Sequence, residues 1–350
     1  MSDDFEINGQ HPPRGSRLIV DFPLPPLTSN SALHMPIHII RGKRPGPRLL
    51  VCAALHGDEI GGIEIIRRLV SHPAIRRIRG DFIAVPIVNV YGFIHHSRYL
   101  PDRRDLNRCF PGSEKGPIAS RLANLFLNEV VTKCSHGIDL HTAAIHRENL
   151  PQIRACLNEP ATRDMAEAFP VPVLLDASLR PGTIREAAGK LGIPWLVYEA
   201  GEALRFDEVS IRVGVRGVIQ VMREIGMLAK RQTKRPHVPQ TANKSYWVRA
   251  PQSGVYRNLM PMGAHVGKEG LIGIVSDPYG KNEAQVFAPS SGVIIGRTNL
   301  PLVYEGDALC HIALFKDAGE VAGVIEDFQS RFGVESDEGV YDNEFDSPIL

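Results

Sequence analysis

The chain has 350 residues, of which 43% are hydrophobic, and a formal net charge of +1. That length and apolar content allow one large core or two smaller ones, and the near-zero charge excludes a global field for nucleic acid or an anionic membrane. No apolar run is long enough to span a bilayer, and the opening MSDDFEINGQHPPRG lacks the basic and apolar regions of a signal peptide, so a cytoplasmic protein is expected.

Residues 16–22 (SRLIVDF) and 36–41 (PIHIIR) read as early strands with Pro-rich spacers between them. RLLVCAAL (48–55) is a short unbroken apolar run, as in a strand buried on both faces. In EIGGIEIIRRLVSH, which follows, Ile63, Ile66 and Val70 recur at helical spacing, with Asp58 as the candidate cap. DFIAVPIVN (81–89) is a second buried strand, PIASRLANLFLNEVVTK (117–133) an amphipathic helix, GIDLHTA (137–143) a third strand ending and GIPWLVYEAG (192–201) a fourth. A long helix over 206–228 places Ile211, Val215, Val218, Met222 and Ile225 on one side. Short buried strands alternating with helices predict an α/β fold whose mixed sheet is mostly parallel and flanked by helices.

Composition shifts over 229–245 (AKRQTKRPHVPQTANKS), and a linker is expected at 231–245, after a catalytic domain at 1–230. Beyond it, APQSGVY (250–256) recurs as APSSGVI (288–294), and each copy precedes a related stretch, VGKEGLIGIV (266–275) and VYEGDALCHIA (303–313). Two copies of a strand-turn-strand unit predict a small all-β module over 246–316 with quasi-two-fold symmetry, and it resembles the lipoyl/biotinyl-type barrel-sandwich hybrid. Lys281 falls near the position where such modules carry a modified lysine, but its flanks, DPYGKNEA, lack the methionines of a biotinylation site, which favours a plain surface lysine. Residues 317–350 form an acidic tail, expected to be loosely held. The five cysteines (Cys52, Cys109, Cys134, Cys156 and Cys310) are scattered without a CxxC and read as reduced thiols.

Chemically capable residues gather at the C-terminal ends of the buried strands: His56 and Glu59, Asn89, His141 and Glu199. Ligands of open α/β sheets bind in the crevice beyond those ends. His56 and Glu59 form an HxxE pair on a tight strand-to-helix turn, with His141 as the candidate third ligand. Two imidazoles and one carboxylate leave a fourth tetrahedral position open, as in catalytic zinc sites. Asp139, two residues before His141 on the same strand face, is either an acid that orients the imidazole or a buried partner of an arginine. The long loop YGFIHHSRYLPDRRDLNRCFPG (91–112) carries Arg98, Arg103, Arg104, Asn107 and Arg108 beside the crevice.

HGDE, SRY…DLNRCFPG, DLHTA and YEAG occur in the order seen in the succinylglutamate desuccinylase/aspartoacylase family, relatives of the zinc carboxypeptidases, and the resemblance covers about residues 45 to 230. It implies one zinc ion held by His56, Glu59 and His141. It also implies that Arg98 polarises the scissile carbonyl, that Asn107 and Arg108 hold a substrate carboxylate, and that Glu199 is the general acid/base. The appended β module likewise resembles that of the larger bacterial members. The tyrosine and arginine with which aspartoacylase grips its amino acid have no match here; Arg147, Arg154, Arg180 and Arg185 are unassigned replacements. The expected reaction is hydrolysis of a small N-acyl amino acid or a related carboxylate-bearing amide. The alternatives are a metallocarboxypeptidase acting on small peptides, an inactive scaffold, and a carrier modified at Lys281. Glu202 competes with Glu199 as base, and Cys109 is a weaker candidate nucleophile. The expected partner is a small carboxylate-bearing substrate rather than nucleic acid or a membrane, and the reading leaves room for a homo-oligomer.

Overall fold

The computed structural model describes residues 5–230 and 238–333. In chain order the first half runs β1 (Arg17–Leu24), β2 (Leu33–Arg41), β3 (Arg48–Ala53), α1 (Gly61–Ser71), β4 (Asp81–Val85), α2 (Val90–Ile94), α3 (Ile118–Glu129), β5 (His136–Ala143) and β6 (Arg147–Ala155). It continues with α4 (Pro160–Ala168), β7 (Val173–Asp176), α5 (Ile184–Lys190), β8 (Trp195–Glu202) and α6 (Glu208–Glu224). The remainder is β9 (Gln240–Ala242), β10 (Lys244–Arg249), β11 (Gly254–Asn258), β12 (His265–Val266), β13 (Leu271–Ser276), β14 (Glu283–Phe287), β15 (Gly292–Thr298), β16 (Leu302–Val303), β17 (Ala308–Leu314) and α7 (Ala318–Gly333).

The sheet is mixed, with a parallel centre, β4-β3-β5-β8, and antiparallel neighbours on both sides. Every residue of β3 is buried. Leu50 and Cys52 face a core shared with α3 and α5, whereas Leu49, Val51 and Ala53 face one shared with α1, α4 and α6. Burial on both faces explains why this strand is a continuous apolar run. Gly62 lets α1 lie against the sheet, since a Cβ there would come within 2.7 Å of the Cβ atoms of Ala53 and Leu140. Asp58 does not cap α1; the cap position is Ile60, with no side-chain bond, and Asp58 is folded inward. The sharp turn after β3 carries the chain on two residues further before the helix begins.

One buried charge cluster ties β2, β3 and β4 together. Asp81 accepts from Arg41 Nε and Arg48 Nε, each at 3.1 Å, and all three side chains are buried. Asp81→Ala removes the buried carboxylate that Arg41 and Arg48 share, and the expected loss is about 3–5 kcal/mol of stability. Urea unfolding of the variant measures it.

The strands from β10 to β17 form an antiparallel β module built on the two repeats. Gly254 pairs with Val303, and the matching Gly292 with Val266. Gly306 N donates to Ala250 O at 2.9 Å, and Glu269 N to Ala288 O at 2.7 Å. Each repeat therefore pairs with the second half of the other, as the quasi-two-fold reading requires. Its strands are not separate from the large sheet: β15 pairs antiparallel with β6 and, through β17 and β10, extends that sheet. Lys281 is exposed in the turn between β13 and β14.

Two expectations change at the borders. Of the linker placed at 231–245, residues 231–237 lie outside the described residues, while Gln240–Ala242 is an edge strand parallel to β7 and Lys244 opens β10. A three-residue edge strand buries little side chain, so polar composition hides it. The tail placed at 317–350 begins as the helix α7, with Val321, Ile325, Phe328 and Phe332 buried at helical spacing. Its acids mask that stripe in the composition; residues 334–350 lie outside the described residues.

Candidate active site

His56 and Glu59 stand on the turn between β3 and α1, and His141 lies near the end of β5. Gly57 makes this turn possible: a Cβ there would meet the backbone of Gly92 at 2.0 Å, so the turn packs directly on the start of the 91–112 loop. The three side chains are buried, and their ligating atoms all lie within 4.8 Å of one another. Glu59 bridges the rings, with Oε1 at 2.6 Å from His56 Nδ1 and Oε2 at 2.7 Å from His141 Nδ1. Thr142 N also donates to Glu59 Oε2 at 3.1 Å.

Each imidazole has an acid on its far nitrogen. Asp105 Oδ1 lies 3.1 Å from His56 Nε2, and Asp139 Oδ2 lies 2.7 Å from His141 Nε2. Asp139 thus faces the histidine rather than an arginine. Carboxylates in this place fix ring orientation and raise ligand basicity. Burial works against charge on His56, but Glu59 and Asp105 more than offset it and raise its pKa. His141 is raised well above the usual range in the same way, against burial, by Asp139 and Glu59. Burial would raise Glu59, yet the two imidazoles hold its pKa far below the ordinary carboxylate range. Asp105 is likewise lowered against burial, by His56 and Arg98. This is a buried pocket that attracts positive charge, with two Nδ1 atoms and a carboxylate turned toward one point. The donor set and its outer acids fit a divalent cation such as zinc.

Asp105 was not singled out from the sequence, although it begins the DLNR string. Its Oδ1 also accepts from Asn107 N at 2.8 Å, so one carboxylate shapes the turn and orients the ring. Asp105→Asn is expected to lower metal affinity about 10–100-fold, measurable by competition with a chromophoric chelator.

Arg98 is half-buried, with one nitrogen 3.1 Å from Glu59 Oε1 and another 2.9 Å from Asp105 Oδ2. Asn89 serves structure: its Oδ1 caps α2 at Gly92 N, 2.9 Å, and its Nδ2 donates to Arg98 O at 3.4 Å, which steadies the loop. Asn107 Oδ1 accepts from Ile184 N at 3.0 Å, joining the loop to α5 and leaving the Nδ2 end as a donor. Arg108 donates to Asn107 O at 2.5 Å. Cys109 Sγ lies 3.2 Å from Asp105 O, and burial raises its pKa, so the thiol is neither activated nor paired with a histidine.

Glu199 is the register partner of His141 in the parallel β5–β8 ladder, which sets the two side chains next to each other on one face. Asn149 Nδ2 donates to its Oε2 at 2.7 Å, and Arg154 Nε lies 3.2 Å from Oε1. Glu202, the competing acid, is held elsewhere, accepting from His146 N at 3.1 Å and Asn299 Nδ2 at 2.9 Å. His56, Glu59, Arg98, Asn107, Arg108, His141 and Glu199 all line one cavity of about 300 Å³. Arg147, Arg154, Arg180 and Arg185 complete its cationic lining, and Trp247 enters from the β module. Trp247 carries no chemical motif; only the β6–β15 pairing that joins module to sheet brings it here.

An α/β sheet with a buried His–Glu–His cluster and a neighbouring acid at its strand ends defines the class of chain with which to compare this one. The model of the succinylglutamate desuccinylase/aspartoacylase catalytic domain matches residues 45–225, more than half of the chain, and the chain belongs to that family. It is 25% identical over 299 residues to the N-alpha-acetyl-L-2,4-diaminobutyric acid deacetylase of Halomonas elongata, covering 81% of this chain and 86% of that protein. The fold is similar to the product-bound ectoine utilization protein EutE (DoeB) of Ruegeria pomeroyi, with a TM-score of 0.81 and 21% identity over 90% of this chain and 100% of the other. It is also similar to a succinylglutamate desuccinylase/aspartoacylase of Rhodobacter sphaeroides, with a TM-score of 0.78 and 23% identity over 90% and 98% of the two chains. Among the described residues no helix is long and apolar enough to cross a membrane.

Proposed function

We propose that this chain is a zinc-dependent amidohydrolase that removes the acyl group from a small N-acyl amino acid or a related carboxylate-bearing amide. The observation that carries the reading is the buried His56–Glu59–His141 cluster with Glu199 paired in register beside His141. Family membership supports hydrolysis of a carbon–nitrogen amide, and the Halomonas relative's name describes such a deacetylation.

His56, Glu59 and His141 would hold the metal. Bound there, the ion supplies Lewis acidity, making hydroxide available near neutral pH and drawing electrons from the amide carbonyl. Glu199 takes the proton of the attacking water and passes it to the leaving amine, a step worth about 10²–10⁴-fold. Asn149 and Arg154 keep its carboxylate aimed into the cavity. Arg98 stands beside Glu59, placed to stabilise the charge that grows on the carbonyl oxygen. Asn107 and Arg108 take the substrate carboxylate, spending binding energy on orientation. A cavity of about 300 Å³ walled by Trp247 suits a small molecule better than a peptide, which favours the deacylase over the carboxypeptidase reading. Metal analysis of the purified protein, together with release of amine from a panel of N-acyl amino acids, tests the proposal. Bound zinc with turnover is the expected result, and metal-free protein that hydrolyses every member at full rate would refute it.

A further inference from the structure

Of the two side chains that hold Glu199, one stands against the β module. Asn149 lies on β6, the strand to which the module is joined, and its Nδ2 donates to Glu199 Oε2 at 2.7 Å. It belongs to a single rung across the extended sheet. Trp247 is opposite His311, His311 opposite Gly296, Gly296 opposite Asn149, and Asn149 opposite Gly201. Opposed residues of paired strands send their side chains to one face. On this rung that face is the cavity, which Trp247 and Asn149 both line. His311 is buried, stacks on Trp247 with ring centroids 4.7 Å apart, and lies 2.9 Å from Ser245 Oγ. The module's half of the rung is therefore fixed.

Between His311 and Asn149 the rung has a glycine, and no positive φ requires one there. What Gly296 supplies is space. A Cβ on it would stand 2.8 Å from Asn149 Oδ1, 3.3 Å from His311 Cβ and 3.4 Å from Glu148 O. The histidine is locked by its stack and Glu148 O is backbone, so the group that must give way is the carboxamide of Asn149. Oδ1 and Nδ2 share one carbon, and turning the first away takes the second off Glu199. A bulge brings the glycine to this place. The β15–β17 register shifts between Ile294 and Gly296, and the extra residue, Ile295, packs in a buried cluster with Leu150 and Val173. Without the bulge Ile295 would face Asn149; bulges beside active sites re-aim side chains in this way. On the next rung Arg297 Nη2 donates to Glu148 Oε2 at 3.2 Å and holds the register.

We propose that Gly296 of the β module is a positioning residue for the reaction. It keeps open the space in which Asn149 reaches Glu199, so the module takes part in aiming the general base. The kinetic side of this inference rests on the amidohydrolase reading; the placement of Asn149 does not.

Metal-loaded full-length protein carrying G296A, N149A or both is assayed on the N-acyl amino acid that wild type turns over best. G296A should lower kcat about ten- to a hundredfold, the worth of one hydrogen bond to a charged group, with KM and metal content unchanged. N149A should lose about as much. The double variant should fall no further than N149A alone, because the added Cβ then occupies the space the carboxamide left. Full activity in G296A or in N149A overturns the proposal, and so does a further loss when G296A is added to N149A. That last comparison decides the matter where G296A alone is too unstable to assay. A crystal structure of G296A reads the geometry apart from activity: Asn149 Nδ2 should lie beyond hydrogen-bond reach of Glu199, and an intact bond refutes the proposal. If wild type hydrolyses nothing, the amidohydrolase reading fails, while the crystal structure still decides whether Gly296 places Asn149 on Glu199.

Discussion

His141→Ala is expected to lose metal and activity together. The ring offers Nδ1 to the cluster, and removing it leaves His56 and Glu59 as the remaining ligands. Zinc sites with four protein ligands are worth roughly 10–16 kcal/mol, so one ligand is worth about 3–4 kcal/mol, or 10²–10³-fold in affinity. The loss does not end there. Asp139 is fully buried and keeps Cys52 as its other partner, through a weak thiol contact of 3.4 Å, while Glu59 Oε2 keeps Thr142 N but loses its imidazole. The two buried acids on either side of the ring then lose the positive charge between them, which further weakens the folded apo form. Metal content measured by emission spectrometry, with circular dichroism to confirm the fold, decides the matter. Undiminished zinc in a folded variant would remove His141 from the ligand set.

Most of the parallel centre is legible in the chain because strands buried on both faces cannot hide. RLLVCA and DFIAV each place apolar side chains against two cores, and the helices between them keep a 3.6-residue stripe. The strand β6 is harder to see. Arg147–Ala155 contains Pro151 and alternates poorly because one part faces the cavity, another joins β15 and a bulge shifts its register against β8. Its chemistry is hidden for the same reason. Asn149 and Arg154 reach Glu199 only once β6 lies antiparallel to β8, a pairing between segments some fifty residues apart that local spacing cannot reveal. His56, Glu59 and His141 are legible because strand ends concentrate function in an open α/β sheet. Asp105 and Trp247 are not, since an acid in a loop and a tryptophan in a strand are ordinary until folding turns them toward a histidine and an arginine.

Glu199→Gln is expected to lower kcat by about 10²–10⁴-fold, the usual worth of a positioned general acid/base, while KM changes little and zinc stays bound. The substitution is nearly isosteric and its amide oxygen still accepts from Asn149, while the ion pair with Arg154 is lost. What disappears is the site that takes and returns a proton. Glu202→Gln provides the matched comparison. That residue is tied to His146 N and Asn299 Nδ2, away from the cavity, so its loss should register in the joint between sheet and β module, as a lower unfolding midpoint, rather than in turnover. Steady-state kinetics and metal content of the two variants, measured side by side, separate the assignments. A fully active Glu199→Gln enzyme would exclude Glu199 as the base, and a collapse of kcat confined to Glu202→Gln would transfer the role to that acid and require the 199–207 segment to move when substrate binds.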